Sequence, residues 1–402
     1  MSSRRDVLIV GSGPAGSGLA YFLAQQGRDV LLIDKSDFPR DKTCGDGLTP
    51  RALGVLRTMG ALDAVAAAGQ RINGVHIYAL GGRRIEAPIP PWHDLPAYAL
   101  VAPRYHLDDL LRGQAIAAGA EFRPHVEATD VLREGDTITG VRAKTPDGPR
   151  TLRARQTVLA TGASVGLLER AQLMPAPPRF GRAARAYYEG VSDLTDCIEF
   201  HLDSIPLPGY GWVFPTSNTA ANVGVGYYVP PGQQPRRSSP RLVLDEFVSF
   251  PNMARRLAQA RPSAPSKGYP LRFDFPTARL AFPGLLLVGE AVGLVNPLTG
   301  EGIDYALESA EVAQAVLDAA RGQTPAQAAH AYVRAMHSRF LKAFVSNLRM
   351  RDVYFKPWLF NRVVGAALRF DDFRETFVHI CLGNISPAQG LSPRMLLKMA
   401  LA

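Results

Sequence analysis

A chain of 402 residues, 47% hydrophobic and 20% charged, has material for a large buried core and is expected to form more than one domain, while no apolar run reaches the roughly 18–20 residues that span a bilayer. With 45 basic against 36 acidic residues the formal charge is +9, which favours anionic partners; the basic residues are dispersed, many as single Arg in loops, so nucleic acid is not expected, and an anionic membrane surface or a phosphorylated substrate fits the charge equally well. The three cysteines, Cys44, Cys197 and Cys381, have neither metal-ligand spacing nor the even count of a disulfide framework, and no metal site is expected.

The first residues enter a predicted strand directly, without room for a signal peptide, and the expected location is cytoplasmic. That strand, Asp6 to Val10, runs into Gly11, Gly13 and Gly16 in G-x-G-x-x-G spacing. Gly11 permits a tight turn, Gly13 lets a pyrophosphate approach the main chain, and Gly16 lets the next helix pack close to the sheet. Phosphates then meet the helix N-terminus, where free N–H groups and the dipole favour negative charge. Pro14 suits the first helical turn, Ala15, Leu19, Phe22 and Leu23 form the stripe facing the sheet, and Gly27 ends the helix. A second apolar run, Asp29 to Ile33, ends at Asp34, where an acid can take ribose hydroxyls. In this strand–helix–strand–acid context the glycines predict a dinucleotide site; the alternative is a structural turn of the same shape.

A loop rich in Pro, Gly, Asp and Lys follows, then a helix from Thr49, read as its N-cap, with Ala52, Leu53, Leu56 and Met59 inward. Alternation over 72–90 predicts antiparallel strands. Arg104 precedes a helix, HLDDLLRGQAIAAG, and Phe122 to Thr129, Thr137 to Ala143 and a short run Val158 to Ala160 are predicted strands. From about 180 to 275 the chain turns β-rich, with CIEFHLD, GYGWVFP and NVGVGYYV, as suits an inserted antiparallel sheet. Leu285 to Val288 then leads into Gly289-Glu290 and a long helix carrying Ile303, Ala306, Leu307 and Ala310, and residues 331–402 read as mostly helical, basic and rich in Phe, Trp and Leu.

The N-terminal fingerprint together with FPRDKTCGDGLTPRA, PLPGYGWVFP and NPLTGEGIDYALES resembles the geranylgeranyl reductase family, flavoproteins of the p-hydroxybenzoate hydroxylase fold, and within it the bacterial reductases of the menaquinone side chain. The resemblance implies an α/β chain, α+β overall: a Rossmann-like FAD-binding domain from 1–71, 100–178 and 277–330, an inserted antiparallel-sheet substrate domain from 72–99 and 179–276, and a C-terminal helical region, 331–402. It implies FAD as cofactor, with Gly11, Gly13 and Gly16 at the pyrophosphate, Asp34 at the ribose and Arg104 reaching in from the head of its helix. Gly289 and Glu290 would contact the ribityl and pyrophosphate portion. Gly300, Gly302 and Ile303 would aim a helix N-terminus at the flavin edge that becomes negative on reduction. Pro14, Ala15, Lys35, Cys44, Gly45, Thr161 and Gly162 complete the expected set. The hydroxylases of this fold carry Asp-Gly where this chain has Thr161-Gly162, and the usual Gly-Asp-Ala is here Gly289-Glu290-Ala291; no residues are assigned to a nicotinamide site.

The activity so implied is saturation of carbon–carbon double bonds in a polyprenyl chain, with hydride from reduced flavin and a proton from a nearby acid. Cys44 is the candidate acid; its alternative role is as a small side chain in a tight, glycine-flanked turn against the flavin. Tyr210, Trp212 and Phe214 alternate in GYGWVFP and are read as a substrate-lining wall, though core packing alone could align them. Tyr187, Tyr188, Tyr227 and Tyr228 are read as ordinary sheet residues. The C-terminal helices are expected to pack on the flavin domain. Arg349, Arg351, Lys356, Arg362 and Arg369, interleaved with Phe355, Trp358, Leu359 and Phe360, suit docking on an anionic membrane. NADPH or a reduced protein carrier would supply electrons. The rival readings are an FAD-dependent monooxygenase or halogenase of the same fold, the halogenase needing a lysine beside the flavin that the sequence does not place, and a non-catalytic lipid-binding flavoprotein.

Overall fold

The computed structural model describes residues 4–174, 178, 180–205, 207–229, 239–354, 356–390 and 392–402. Two sheets organise the chain. The first has a parallel core: Val30–Ile33 (β2) pairs with Arg5–Val10 (β1), β1 with the end of Gly148–Leu159, and that strand with Leu285–Leu287; Glu121–Arg123 closes the far side of β2. At its centre β1, β2 and Leu285–Leu287 carry short apolar runs because both faces are covered, and all four residues of β2 are buried. The helix Pro14–Gln25 (α1) lies on one face, buried along Ala15, Leu19 and Leu23, and Gly27 follows at φ +71°; Phe22 is only partly buried.

The second sheet joins two separate stretches of sequence. Gly74–Ala79 and Arg83–Pro88 form a hairpin, and Gly74–Ala79 pairs with Cys197–His201, from which the ladder continues through Gly209–Pro215, Ala220–Tyr228 and Phe180–Glu189. The pairing of Gly74–Ala79 with Cys197–His201 is parallel, unlike the rest, because no hairpin joins these strands and their direction is free. A small sheet of Gly47–Leu48, Ala99–Val101 and Gln70–Ile72 sits between the two.

Three local expectations are corrected. The strand expected at Val158 to Ala160 is twelve residues long, Gly148–Leu159: its charged first half pairs with Thr137–Thr145 and only its apolar end enters the parallel sheet. The strand expected over Phe122 to Thr129 is two, Glu121–Arg123 and Glu127–Glu134, broken around Pro124 and His125, the latter at φ +56°. Thr49 stands at the N-cap of Pro50–Thr58 (α2), but its hydroxyl makes no capping bond and is buried without a partner.

The C-terminal helices do not all pack on the flavin domain. Tyr332, Phe340 and Phe344 join the core under the parallel sheet, whereas Val363, Val364, Phe373 and Val378 pack against Ile77, Ile85, Trp212 and Phe214 of the second sheet. Arg351, expected at the surface, is buried with its guanidinium over the Tyr228 ring at 3.7 Å, and Phe360 is buried as well. Phe355, and Pro206 of the PLPGYGWVFP motif, lie outside the described residues. No helix among the described residues is long and apolar enough to cross a membrane.

Candidate active site

A cavity of about 550 Å³ runs from the ends of β1 and β2 to the underside of the second sheet. Gly11, Gly13, Pro14, Ala15, Asp34 and Lys35 line one end. Gly11 has φ +104°, and a Cβ there would lie 2.4 Å from the Ala160 carbonyl oxygen, so no other residue fits the turn. Gly16 lies behind this wall: its Cβ would stand 1.8 Å from the Gly11 oxygen, so it serves the close approach of α1 to the sheet. Gly13 is the N-cap of α1 and Pro14 its first residue, with no side-chain cap, which leaves the helix end free for an anion. The Asp34 carboxylate accepts from the Ser12 N–H at 2.8 Å and the Ser36 N–H at 2.9 Å. These two amides fix it at the tip of β2.

Along one side Arg104 is buried and held by both oxygens of Asp108 at 2.6 and 2.7 Å, and Arg40 reaches the same carboxylate at 3.0 Å. Burial opposes the Arg104 charge, but Asp108 more than offsets it and the guanidinium stays charged. Thr161, Gly162 and Glu290 line the cavity opposite. Gly289 does not; it has φ +61°, and a Cβ would meet that of Ala15 at 2.9 Å, so it lets α1 pack closely. Lys42, which the sequence reading did not single out, pairs with Glu290 at 3.7 Å and sits over the Tyr269 ring at 4.2 Å. Burial lowers its pKa and Glu290 pulls it back.

Gly300, Gly302 and Ile303 bring a second helix N-terminus to the cavity. Gly302 caps the helix Ile303–Ala319, again without a side-chain cap. Gly300, at φ +77°, has the Tyr210 hydroxyl where its Cβ would be, 2.9 Å away.

The roof is the GYGWVFP strand. Tyr210, Trp212 and Phe214 all line the cavity, and Phe200 of the neighbouring strand packs edge-on against Tyr210 and Phe214. The Trp212 indole donates to Asn222 Oδ1 at 2.9 Å, and Asn222 Nδ2 donates to the Cys44 carbonyl and to Asp46 Oδ2, both at 2.7 Å. Tyr187 donates to the same Asp46 oxygen at 2.6 Å, so it is no ordinary sheet residue. Asp46 is fully buried at φ +66°; burial pushes its pKa up to about 6, against the pull of the Tyr187 and Asn222 hydrogen bonds. Thus Trp212, Asn222, Tyr187 and Asp46 clamp the loop that carries Cys44 and Gly45 to the cavity wall. Gly45 faces the Phe214 ring, which a Cβ would approach to 3.2 Å. Tyr227 and Tyr228 also line the cavity, whereas Tyr188, like Tyr187, lies outside its lining and packs with the sheet core as expected of a sheet residue.

A side pocket of about 130 Å³ opens where Phe200, Tyr210, Leu298, Thr299 and Cys381 are shared with the main cavity. It is apolar, between the second sheet and the C-terminal helices, with Ile77, Phe360, Val363, Phe373, Phe377 and Ile380 around it. Beside the junction, Glu301 lines the main cavity; its Oε2 is buried without a hydrogen-bond partner, near the Gly383 backbone. Arg51 donates to the Gly383 carbonyl at 2.9 Å and pairs with Asp304 at 3.3 Å and Glu308 at 2.6 Å. Burial and Asp304 hold the Glu301 carboxyl well above the usual carboxylate range despite Arg51.

This set of residues fits FAD. Two uncapped helix N-termini and close-approach glycines provide for the diphosphate and for the flavin edge, and an acid stands at the end of β2.

Residues 4–173 match the FAD binding domain family. The chain is 34% identical over 325 residues to menaquinone reductase of Mycolicibacterium smegmatis, covering 78% of this chain and 76% of that protein. It is 33% identical over 319 residues to digeranylgeranylglycerophospholipid reductase 1 of Methanopyrus kandleri, covering 77% and 79%. Among solved structures, a geranylgeranyl bacteriochlorophyll reductase-like protein from Thermoplasma acidophilum aligns with TM-score 0.77 at 24% identity over 99% of this chain and 96% of that one. A flavin-dependent brominase gives 0.77 at 21% identity over 99% and 98%. At such identities the two structures speak for the fold alone.

Proposed function

The chain belongs to the FAD-dependent geranylgeranyl reductase family, and we propose that it saturates carbon–carbon double bonds in a polyprenyl chain, carried by menaquinone or another isoprenoid lipid. The observation that carries this reading is the join between a cavity with two anion-ready helix ends and an apolar pocket whose lining, among the described residues, carries no charge. FAD, when bound and reduced, would supply the two electrons of the reduction as a hydride.

The remaining work falls to side chains. Gly13, Pro14 and Ala15 would hold the diphosphate on the end of α1, with Gly11 and Gly16 shaping that end. Asp34 and Lys35 would meet the ribose, Arg104 and Glu290 the middle of the cofactor, and Gly300, Gly302 and Ile303 the flavin edge. Thr161 and Gly162 would form the wall beside it, and Gly289 lets α1 pack close behind. Tyr210, Trp212 and Phe214 would hold the polyprenyl chain over the reacting face and exclude water. Cys44 and Gly45 stand opposite, Cys44 either as proton donor or as the small side chain that lets the loop approach. The divisions at 71, 99, 178, 276 and 330 follow the same assignment, the first part holding FAD and the second the substrate.

The monooxygenase and halogenase readings share the fold. Lys42 does reach the cavity, but its ammonium is engaged by Glu290 and Tyr269. Mass spectrometry of menaquinone and geranylgeranyl lipids after incubation with chemically reduced holoprotein is the test. Products gaining two hydrogens per bond, formed without O₂ or halide, support reduction; inserted oxygen or halogen overturns it. The same reaction started with NADPH or with a reduced ferredoxin-type protein identifies the donor. Substrate of this kind lies in lipid, and docking on an anionic membrane from the cytoplasmic side is part of the proposal.

A further inference from the structure

We propose that Glu301 is the proton donor that completes saturation of the double bond. This rests on the reductase reading above. An isolated alkene accepts hydride only if a proton reaches the other carbon, so an acid must stand beside the chain where the main cavity meets the side pocket. Of the described titratable groups, Tyr210 and Cys381 stand at that junction and Glu301 lines the main cavity beside it, with Cys44 on the opposite loop. The Tyr210 hydroxyl already donates to the Thr299 carbonyl, and burial, with Glu301 nearby, raises its pKa further. Burial pushes the Cys381 thiol up to about 12. Both are too weak to protonate an alkene at neutral pH.

Glu301 differs in kind. It is a carboxylic acid, intrinsically stronger than a phenol or thiol. It is kept neutral by its surroundings, so it carries a proton to give. Asp304 and Glu308 face it from the helix Ile303–Ala319 that follows it, Thr299 from its own loop, Arg51 from α2, Tyr210 from the roof strand, and Cys381 and Gly383 from the end of the helix Asp371–Cys381. Arg51 is the cation among these, and it pairs with Asp304 and Glu308, while Glu301 keeps Oε2 buried without a hydrogen bond. In the step, hydride from reduced FAD forms one C–H bond as the π pair of the alkene takes the Glu301 proton to form the other. The carboxylate left beside Arg51 is reprotonated from solvent. Cys44 is thereby given the packing role.

The test compares holoprotein of wild type, Glu301→Gln, Glu301→Asp and Cys44→Ser in single turnovers from reduced flavin. Glu301→Gln is expected to keep its FAD and lose the alkene-reduction rate by ~100-fold or more, the usual scale of general acid catalysis. Glu301→Asp recovers part of the rate. Cys44→Ser stays within a few-fold of wild type. A Cys44→Ser protein that keeps its FAD but loses the rate as Glu301→Gln does would return the proton to Cys44 and overturn the assignment. The wild-type rate falls as pH rises through the raised Glu301 pKa, and that limb is absent in Glu301→Gln. An independent readout is melting of the holoproteins: the advantage of wild type over Glu301→Gln should shrink as pH rises, because the raised pKa stabilises the fold only while the acid is protonated. Full rate and an unchanged pH profile in Glu301→Gln, or a melting difference constant with pH, overturns the assignment. A wild type that reduces no alkene overturns the reductase reading instead.

Discussion

Asp46 shows how one buried carboxyl can set the stability of a functional loop. It has no accessible surface and accepts from Tyr187, Asn222 and the Arg104 amide, and burial outweighs these bonds and the pull of Arg185 and Arg104. Its pKa is therefore raised in the folded state, from 3.8 to about 6. The folded protein binds the extra proton, so this contribution is fully present below pH ~4 and is lost as pH rises through about 6. Two pKa units correspond to on the order of 3 kcal/mol. Melting of wild type against Asp46→Asn from pH 4 to 8 should show the wild type losing ground by roughly this amount; parallel curves would mean the carboxyl is not strained. None of this was legible from the sequence. Asp46 read as a letter of a motif, and a single Tyr187 or Asn222 in a β-rich stretch carries no mark of the partner it finds some 140 to 180 residues away.

Elements with one dominant pattern were legible. The β1–α1–β2 unit could be read because glycine spacing, helix stripe and apolar runs agree. Gly148–Leu159 could not, since its charged half obeys the hairpin and its apolar end the parallel sheet. The helix Pro357–Arg369 read only as basic and aromatic. In the fold it turns Phe360 and Val363 into the side pocket while Trp358 and Leu368 stay exposed. A dry cavity near 150 Å³ holds a benzene-sized group, so a pocket of about 130 Å³ matches one five-carbon isoprene unit. Val363 lines this pocket and not the main cavity. Val363→Phe should therefore lower kcat/KM for the longer polyprenyl chains by ~10-fold or more, at ~0.8 kcal/mol per displaced CH₂, and spare substrates one or two units shorter. Equal losses for every chain length would make the pocket a packing defect without a ligand.

At the scale of the whole molecule the question is how an apolar chain passes from lipid to a buried cavity. The exposed large apolar residues concentrate late in the chain: Trp358 at 66%, Leu397 at 60% and Leu401 at 58%, with Leu368 and Leu396. They lie on or beside two helices that pack together, Pro357–Arg369 and Pro393–Ala400, where Arg362 and Arg369 donate to the carbonyls of Ala400 and Leu401. Arg394 stands on the second helix, exposed apart from an ion pair with Asp372. Of the residues that the sequence suggests for a docking face, Arg351 and Phe360 are buried, because their burial depends on the second sheet, which the local pattern does not contain. The helix that lines the side pocket is thus also the helix with apolar residues in water. A bilayer in contact with Trp358 and Leu397 would stand next to the pocket's outer wall. Each basic residue near an anionic surface contributes ~1 kcal/mol and the apolar side chains ~1–2 kcal/mol each, enough for reversible docking. Flotation should recover the protein with vesicles containing phosphatidylserine, less so as salt rises. Leu397→Glu should weaken this by ~10-fold or more, while alkene reduction in detergent is retained. Binding to neutral vesicles as strong as to anionic ones, or a Leu397→Glu protein that floats like wild type, would remove this face from the route of the substrate.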